Sequence, residues 1–541
     1  MTFRSIFFLL LAAVFCLLSS HCAQIVNPNG GPADAKPPHA LKYSPDSART
    51  NFSGKHISIF FDEYIQLNDL QKQLVISPPM SIQPDIKVKG KSLLIELKDS
   101  LKKNTTYTLN FGNSIRDITE NNAIDNFQYI FSTGSYIDSL SFCGTVKNAF
   151  DLRAEKGILV MLYLEHSDSV PYKSMPSYFA KTKEDGSYKI NNIRSGTYKA
   201  FALKDANANY LYDLSTESIA FSDTLIEIKK NTVFDFSMFK EDAKELKLKK
   251  FYVADIGRIN FVFSKAIEDI ELAPMSATAK NKVFYKEVYP AKDTISYWYK
   301  HEENDDTIKL QLWVNENIFD TVKFCGGCVI KKTRGRGTEA SKLVVKLNAS
   351  KDKSFNFNQA LQLNFNHPIK SANTNAIALY SNSKKINFSE IYFADSIKRS
   401  LFCKYPFMPD STYTLFVPPG IFTDIFGLIN DTVKLDFKTQ EEKHYGTLKL
   451  TLKMKIRIAY ILQLMNERGE VFDYASSDKG VFSYQYLPPG SYKLRIIYDK
   501  NGDEKWTTGN YLSKKKPETV IYYSSPITIR SNWDLELDWA P

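Results

Sequence analysis

The chain has 541 residues, of which 43% are hydrophobic, and a formal net charge of +10. This length exceeds one domain and corresponds to roughly four or five domains of ordinary size. The 31 Tyr and 37 Phe favour strands over helices. Because the Lys-rich charge is spread along the chain, we expect a solvated surface and no nucleic-acid partner.

The N-terminus resembles an export signal. A basic residue, Arg4, precedes an apolar run that is too short to span a bilayer and that ends at small residues. Cys22 stands where a lipoprotein signal places its acylated cysteine, although His21 departs from the usual small residue. We predict a signal peptide over 1–21 and lipidation of Cys22. The alternative is ordinary cleavage of the signal peptide nearby, without lipidation, so that Cys22 is a free thiol. Residues 22–38 are rich in Pro and Gly and predict a tether.

Short alternating strands separated by turn signals are predicted over residues 39–134. The segments F-D-E-Y-I, T-T-Y-T-L, I-R-D at Ile115–Asp117 and a closing F-S-T resemble the bacterial Ig-like domain of S-layer and adhesion proteins. Residues 351–440 repeat this pattern, with Leu361–Phe365 as the first strand and Asp424 in the place of the aspartate in I-R-D. The sequence therefore predicts two Ig-like domains.

One passage occurs twice at a constant offset. D-G-S-Y-K-I-N-N-I-R-S-G-T-Y from Asp185 matches K-G-V-F-S-Y-Q-Y-L-P-P-G-S-Y from Lys479. Alternation between glycine turns predicts adjacent antiparallel strands, and an ungapped repeat indicates one unit used twice. The passage resembles the carboxypeptidase-regulatory-like, or prealbumin-like, β-sandwich. This resemblance implies accessory modules without peptidase activity, over 139–240 and 444–541.

Residues 251–347 show strand signals without a family motif, and a sandwich is the default interpretation there. The predicted fold class is all-β: tandem β-sandwich modules, Ig-like and prealbumin-like, in an elongated arrangement. The motif C-A-x-I-x-x-P-x-G-G-P-x-D, which begins at Cys22 and runs into an Ig-like domain, resembles lipoproteins of Bacteroidetes. That resemblance implies an outer-membrane lipoprotein. Because no acidic cluster directly follows Cys22, a periplasm-facing address is favoured over the cell surface.

Each copy of the repeated passage ends in a loop rich in oxygen-bearing side chains. These are Asp205, Asn207, Asn209 and Asp213 in the first copy, and Asp499, Asn501 and Asp503 in the second, where Thr507 replaces the fourth. Hard oxygens at this spacing suit Ca²⁺, although the glycine and the bidentate glutamate of an EF-hand loop are absent. A self-capped Asx turn without metal is the alternative. No other cofactor is predicted.

Cys325-Gly-Gly-Cys328 predicts a local disulfide across a hairpin turn in an oxidising compartment. A zinc site needs four ligands, whereas Cys143 and Cys403 are isolated in the sequence. A redox role needs the motif at the start of a helix, and apolar strand-like residues flank it instead.

Asp followed by Ser or Thr, and then by an aliphatic residue or Thr, recurs along the chain. It resembles the O-glycosylation acceptor motif of Bacteroidetes periplasmic proteins. The hydroxyl residues of these sites are Ser47, Ser100, Ser139, Ser169, Thr224, Thr294, Thr307, Thr321, Ser396, Ser411 and Thr432. Turn-to-strand junctions also favour such pairs, and this structural role is the alternative.

Signs of catalysis are poor, because the seven His are scattered and no G-x-S-x-G occurs. We predict no enzyme and no catalytic residues. The predicted function is a non-enzymatic, lipid-anchored envelope protein acting as a multi-domain structural or adhesion-type binding module. It would be held at the membrane by its lipid and bind an unknown protein or glycan partner. The alternative is a glycan-binding accessory protein of a polysaccharide-processing system, which rings of Trp298 and Trp313 exposed on a sheet face would favour.

Overall fold

The structure, a computed structural model, describes residues 34–541 except 244, 256, 268–269, 290–291, 303–306, 315–316, 326–341, 350–353, 455–457 and 477–479. The described residues are almost entirely strands and turns, which confirms the predicted all-β fold of tandem sandwiches. Their helices are short: α1 Leu70–Gln73, α2 Val170–Lys173, α3 Ala277–Lys280, and the 3₁₀ turns Thr374–Ala376 and Glu442–His444. None of the helices in this part of the chain has the length and apolar character that crossing a membrane requires.

The chain forms two compact units. One comprises the residues up to Val146 with Glu155–Tyr212 and Phe221–Phe236; the other comprises Lys147–Ala154, Asp213–Ala220 and Ser237–Pro541. We number the sandwiches 1 to 5 in chain order and define each by its strands.

Sandwich 1 contains β1 Ala40–Ser44, β2 His56–Phe61, β3 Ile65–Leu67, β4 Val75–Ser77, β5 Asp85–Lys89, β6 Ser92–Glu96, β7 Thr106–Gly112, β8 Ile115–Asp117 and β9 Phe127–Ser132. Its sheets have the orders β1-β2-β6-β5 and β4-β7-β9, and β3 pairs with β8. Alternation explains the core, because Ile57, Ile59 and Phe61 of β2 are buried while Phe60 faces outward.

Sandwich 2 contains β10 Leu140–Asn148, β11 Leu159–Tyr163, β12 Tyr178–Lys181, β13 Ser187–Ile193, β14 Gly196–Lys204, β15 Ser218–Phe221, β16 Ile226–Ile228, β17 Thr232–Val233 and β18 Phe236–Met238. One sheet has the order β13-β10-β17, and in the other β11 lies between β12 and β14. Every residue of β11 is buried, so this sheet is covered on both faces.

Sandwich 3 contains β19 Leu248–Asp255, β20 Arg258–Phe263, β21 Glu271–Pro274, β22 Phe284–Val288, β23 Thr294–Tyr299, β24 Thr307–Val314 and β25 Asn317–Cys325. Its sheets have the orders β19-β20-β23-β22 and β21-β24-β25. Ile259, Phe261 and Leu310 are among the residues of a core of its own. This region, which lacked a family motif, is therefore a two-sheet sandwich with β22 at an edge.

Sandwich 4 contains β26 Val345–Leu347, β27 Ser354–Phe355, β28 Leu361–Phe365, β29 Ile369–Ala372, β30 Ala378–Ser381, β31 Lys384–Ile386, β32 Glu390–Phe393, β33 Ser400–Lys404, β34 Thr412–Val417, β35 Phe422–Asp424 and β36 Val433–Thr439. Its sheets have the orders β26-β28-β33-β32 and β27-β36-β34-β30-β31, and β29 pairs with β35. Strand β26 lies inside the predicted range 251–347 but pairs with β28 of this sandwich.

Sandwich 5 contains β37 Gly446–Leu452, β38 Tyr460–Met465, β39 Val471–Ser476, β40 Val481–Leu487, β41 Gly490–Tyr498, β42 Val520–Tyr522, β43 Ile527–Ile529 and β44 Asp534–Trp539. Its sheets have the orders β40-β37-β44 and β39-β38-β41-β42, and β43 pairs with β41. Strands β40 and β41 begin and end at the positions equivalent to β13 and β14 of sandwich 2. The repeated passage is therefore the same pair of strands in both copies.

A β-bulge recurs near the end of β13 and of β40. The register shifts opposite the same segment in both copies, and Asn192 and Tyr486 adopt left-handed backbone angles, with φ of 58° and 55°. The Asn192 side chain donates to the Asp138 carbonyl oxygen at 2.9 Å, whereas the Tyr486 ring lies 5.0 Å from the ring of Phe357. The first bulge thus directs Asn192 to Asp138, just before sandwich 2, and the second directs Tyr486 to Phe357, which precedes sandwich 5 in the chain.

Candidate functional site

The first Asx-rich loop is organised by the carboxylate of Asp205. Its Oδ1 accepts from the backbone N–H of Asn207, Ala208 and Asn209 at 2.7–3.3 Å, and its Oδ2 accepts from Tyr210 at 2.8 Å. These bonds stabilise the left-handed turns at Ala208 and Tyr210. The structure therefore brings three predicted side chains, those of Asp205, Asn207 and Asn209, into one turn.

The fourth predicted residue of this loop, Asp213, donates its backbone N–H to Oε2 of Glu217 at 3.1 Å. Glu217 is 1% exposed and also accepts from the N–H of Leu214, so it caps the chain after the loop.

The second loop has the same backbone. Asp499 Oδ1 accepts from the N–H of Gly502 at 2.7 Å, and Oδ2 accepts from Glu504 at 3.0 Å. Gly502 and Glu504 are left-handed at the positions equivalent to Ala208 and Tyr210. The other two predicted side chains bond to each other, because Asn501 Nδ2 donates to Asp503 Oδ2 at 3.1 Å. Both loops are therefore self-capped Asx turns.

Among the described residues, no three His, Cys, Asp or Glu side chains lie together in a group that could hold a metal ion. Calcium also binds asparagine oxygens, which are not among these four side-chain types, so the calcium site stays a prediction. The hydrogen bonds to Asp205 and Asp499 nevertheless account for both aspartates without a metal.

The cysteines divide into three cases. Cys16, Cys22 and Cys328 lie outside the described residues. Cys325, at the end of β25, takes part in a disulfide, and its predicted pairing with Cys328 stays a prediction. Cys143 and Cys403 are free, and burial raises the pKa of the Cys403 thiol to about 12. This thiol is therefore chemically inert in the folded protein.

The eleven predicted acceptor hydroxyls all lie in the described part of the chain, and none is buried. The exposed ones are Ser100, Ser139, Thr224, Thr307, Thr321, Ser396 and Thr432, and the half-buried ones are Ser47, Ser169, Thr294 and Ser411. Ser139, Ser411 and Thr432 immediately precede a strand, while Thr294 and Thr307 begin one. The turn-to-strand role therefore applies at several sites, and all of them remain accessible to a transferase.

Sandwiches 3 and 4, which belong to the same compact unit, enclose a polar cleft of about 560 Å³. The polar residues of its lining are Lys286, Glu287, Asn364, Asp395, Ser396, Arg399 and Ser400. Edge strand β22 supplies one wall, and β28 with the β32–β33 turn supplies the other. Its volume lies in the range of ordinary small-ligand sites.

A buried tryptophan holds the cleft walls together. The Trp298 ring lies between the guanidinium groups of Arg258 and Arg399, at 4.9 and 5.2 Å. Glu287 accepts from Trp298 Nε1 at 2.8 Å and from Arg399 Nη1 at 2.5 Å. Because cation–π contacts and a shared carboxylate fix both walls, the cleft is preformed.

Trp298 is only 2% exposed, so it cannot present a ring to a glycan. Trp298 therefore does not supply the exposed ring that would favour the glycan-binding alternative. Trp313 is half-buried, and its buried Nε1 has no hydrogen-bond partner among the described residues. An outward-facing aromatic pair lies instead on sandwich 4, where the exposed ring of Tyr392 and the half-buried ring of Phe402 are 5.6 Å apart and inclined at 14°.

Sequence reasoning missed the cleft, because its residues come from three separate segments, 286–288, 364–365 and 395–400. One signal was present in β33, where Leu401 and Cys403 alternate with Ser400 and Phe402. Period-two alternation sends Phe402 to the outer face of the sheet, so an exposed aromatic could have been predicted there.

Comparison with known proteins supports the assignment of sandwich 1. Residues 34–133 match the family described as bacterial Ig-like domain. The resemblance predicted for residues 39–134 is thereby confirmed for this one module. No curated protein matches the chain.

Among solved structures, the chain is similar to the major pilin subunit BcpA of Bacillus cereus, with 10% identity, 75% of this chain and 99% of that chain covered, and a TM-score of 0.14. It is also similar to surface layer protein SbsC, domains 1–6, with 9% identity, 88% and 67% covered, and a TM-score of 0.14. For SGBP-B of Bacteroides ovatus in complex with a mixed-linkage heptasaccharide, identity is 10%, coverage is 73% and 96%, and the TM-score is 0.16. Likeness at this level carries no argument about function.

Proposed function

We propose that the chain is a non-enzymatic, lipid-anchored protein of a bacterial cell envelope whose sandwiches form a structural or adhesion-type binding scaffold. The observation that carries the proposal is that successive sandwiches close around separate, aromatic-rich cores. Sandwiches built in this way hold their loops in fixed positions, which suits the presentation of a binding surface.

Specific contacts between neighbouring sandwiches of one unit support the scaffold role. Between sandwiches 4 and 5, Tyr445 donates its hydroxyl to Asn356 Oδ1 at 2.8 Å, and its ring packs 5.3 Å from Phe357. Between sandwiches 3 and 4, Arg399 joins Glu287 and Trp298. Because these contacts combine aromatic packing with hydrogen bonds, they resist bending at the two junctions.

The anchor is tested by Cys22→Ser in the full chain expressed in an envelope-forming bacterium. We expect the wild-type chain in the membrane fraction and the variant in the soluble fraction, because the acylated thiol would be lost. Cys143→Ser is the matched control and should stay at the membrane. Unchanged partitioning of Cys22→Ser, with no acyl mass on the N-terminal peptide, would contradict the proposal.

A glycan-binding accessory role is the second candidate function. It is favoured by the polar, preformed cleft between sandwiches 3 and 4 and by the neighbouring exposed ring of Tyr392. Recognition sites of this kind combine a few fixed polar groups with aromatic surface.

A further inference from the structure

The cleft between sandwiches 3 and 4 offers hydrogen-bonding groups without net charge. Its lining holds two carboxylates, Glu287 and Asp395, and two cations, Lys286 and Arg399. Glu287 is paired with Arg399. Asp395 accepts from the backbone N–H of Arg399 at 2.8 Å and of Ser400 at 2.9 Å. The lining as a whole therefore carries no net charge, which suits a neutral polar ligand better than a charged one.

Asn364 supplies the donor at the centre of the cleft wall. Its Oδ1 accepts from Ser400 Oγ at 3.0 Å and from Gln362 Nε2 at 2.9 Å, which fixes the orientation of the amide. Its Nδ2 has no hydrogen-bond partner among the described residues. An oriented, half-buried amide with two free N–H groups is suited to donating hydrogen bonds to hydroxyl oxygens of a ligand.

The cleft continues onto the outer face of the β26-β28-β33-β32 sheet. Gln362 lies opposite Phe402, and Phe402 lies opposite Tyr392, so the three form one row across adjacent strands. Tyr392 is 37% exposed. The ion pair of Lys404 and Glu390, at 2.8 Å, flanks this row and leaves it without net charge. The row thus adds aromatic surface beside the hydrogen-bonding cleft.

We propose that this cleft and the adjoining row bind a short neutral oligosaccharide. Sugar hydroxyls would bond to Asn364 and to the Glu287–Arg399 pair of the cleft wall. A sugar ring would contact the exposed part of the Tyr392 side chain, whose ring also stacks with Phe402 and lies 4.8 Å from the Lys404 ammonium. The assignment rests on the second candidate function proposed above and gives it a location.

The test titrates cellohexaose, laminarihexaose, maltohexaose and mannohexaose into the full chain by calorimetry. All proteins carry Ser396→Ala, so that no glycan attached at the cleft competes. We expect at least one of the four to bind, and Asn364→Asp and Tyr392→Ala each to weaken it about tenfold or more, equivalent to about 1.4 kcal/mol. Asn364→Asp keeps the Oδ1 acceptor but removes the donor and adds a charge.

Tyr474→Ala is the matched control, because Tyr474 is 61% exposed on sandwich 5 and should leave binding unchanged. If a hexaose binds but neither cleft variant weakens it, the site assignment is wrong while the glycan-binding role stands. If none of the four binds, or only oligogalacturonate or chitosan oligomers bind, the proposal of a neutral glycan is overturned. The scaffold role, tested through Cys22, is independent of either result.

Discussion

Two buried aspartates perform the same task in sandwiches 1 and 4. Asp117 is 1% exposed, and its carboxylate accepts from the N–H of Glu120, Asn121 and Asn122 at 2.6–2.9 Å. Asp424 is fully buried and caps its own turn through the N–H of Phe426 and Leu428. The sequence aligned these two aspartates, but only the structure shows that Asp424 also bonds His367 Nδ1 at 2.7 Å.

Replacing Asp117 by alanine should destabilise sandwich 1. The N–H groups of Glu120, Asn121 and Asn122 would lose their acceptor, which we expect to lower the free energy of unfolding by roughly 1–3 kcal/mol. Asp125→Ala, at an exposed position of the same sandwich, should have little effect. Denaturant unfolding of the full chain at pH 7 measures the difference, and equal midpoints for the two variants would contradict this account.

The Asp117 carboxylate should also make the free energy of unfolding depend on pH. Burial acts to raise the pKa of Asp117, but the hydrogen bonds from Glu120, Asn121 and Asn122 outweigh it and leave the pKa below its ordinary value. A lowered folded-state pKa stabilises the protein above the unfolded value of about 4, and this contribution is lost as the pH falls through the folded value. The difference between wild type and Asp117→Ala should therefore shrink in acid. A stability difference between wild type and Asp117→Ala that stays constant down to pH 2 would contradict a lowered pKa of Asp117.

The two strands of the repeated passage could be predicted because the sequence signals that define them are local. Glycine turns and period-two alternation define β13–β14 and β40–β41, and the strand limits agree between the copies. The bulge was not predictable, because Tyr486 gives no sequence signal for φ of 55°. Its left-handed backbone is held by packing against Phe357 and Tyr445, which lie far away in the sequence.

Melting experiments on Asp205 variants can distinguish a calcium site in the first Asx-rich loop from a self-capped turn without metal. A self-capped turn without metal predicts that the full chain melts identically in calcium and in chelator, because the Asp205 carboxylate then serves only as an acceptor of N–H bonds. Asp205→Ala should lower stability by roughly 1–3 kcal/mol in both conditions, because it orphans those N–H groups. Asp205→Asn, which keeps one acceptor oxygen, should lose less. A calcium-dependent rise in melting temperature that Asp205→Ala abolishes would instead establish the metal site.

For the molecule as a whole, the sequence predicted the all-β fold of tandem sandwiches, but it did not predict where two of them form a cleft. Each Ig-like or prealbumin-like pattern is contained within about a hundred residues. The cleft instead combines Glu287 and Arg399, and its stability depends on Trp298, whose burial beside Arg399 the sequence did not indicate. Contacts between modules depend on tertiary geometry that local periodicity does not encode.

The eleven predicted acceptor hydroxyls predict that the native protein carries glycans that are absent from the unmodified chain. Because none of the eleven is buried, a transferase can reach them in the folded state, and the intact mass of the native protein should exceed that of the processed, lipidated chain by whole glycan units. Thr432→Ala should remove one unit, since Thr432 is exposed and follows Asp431. Thr412→Ala is the matched control, because Thr412 is equally exposed but follows Ser411. An intact mass equal to that of the unglycosylated, lipidated chain would show that the Asp-Ser and Asp-Thr pairs serve only as turn-to-strand junctions.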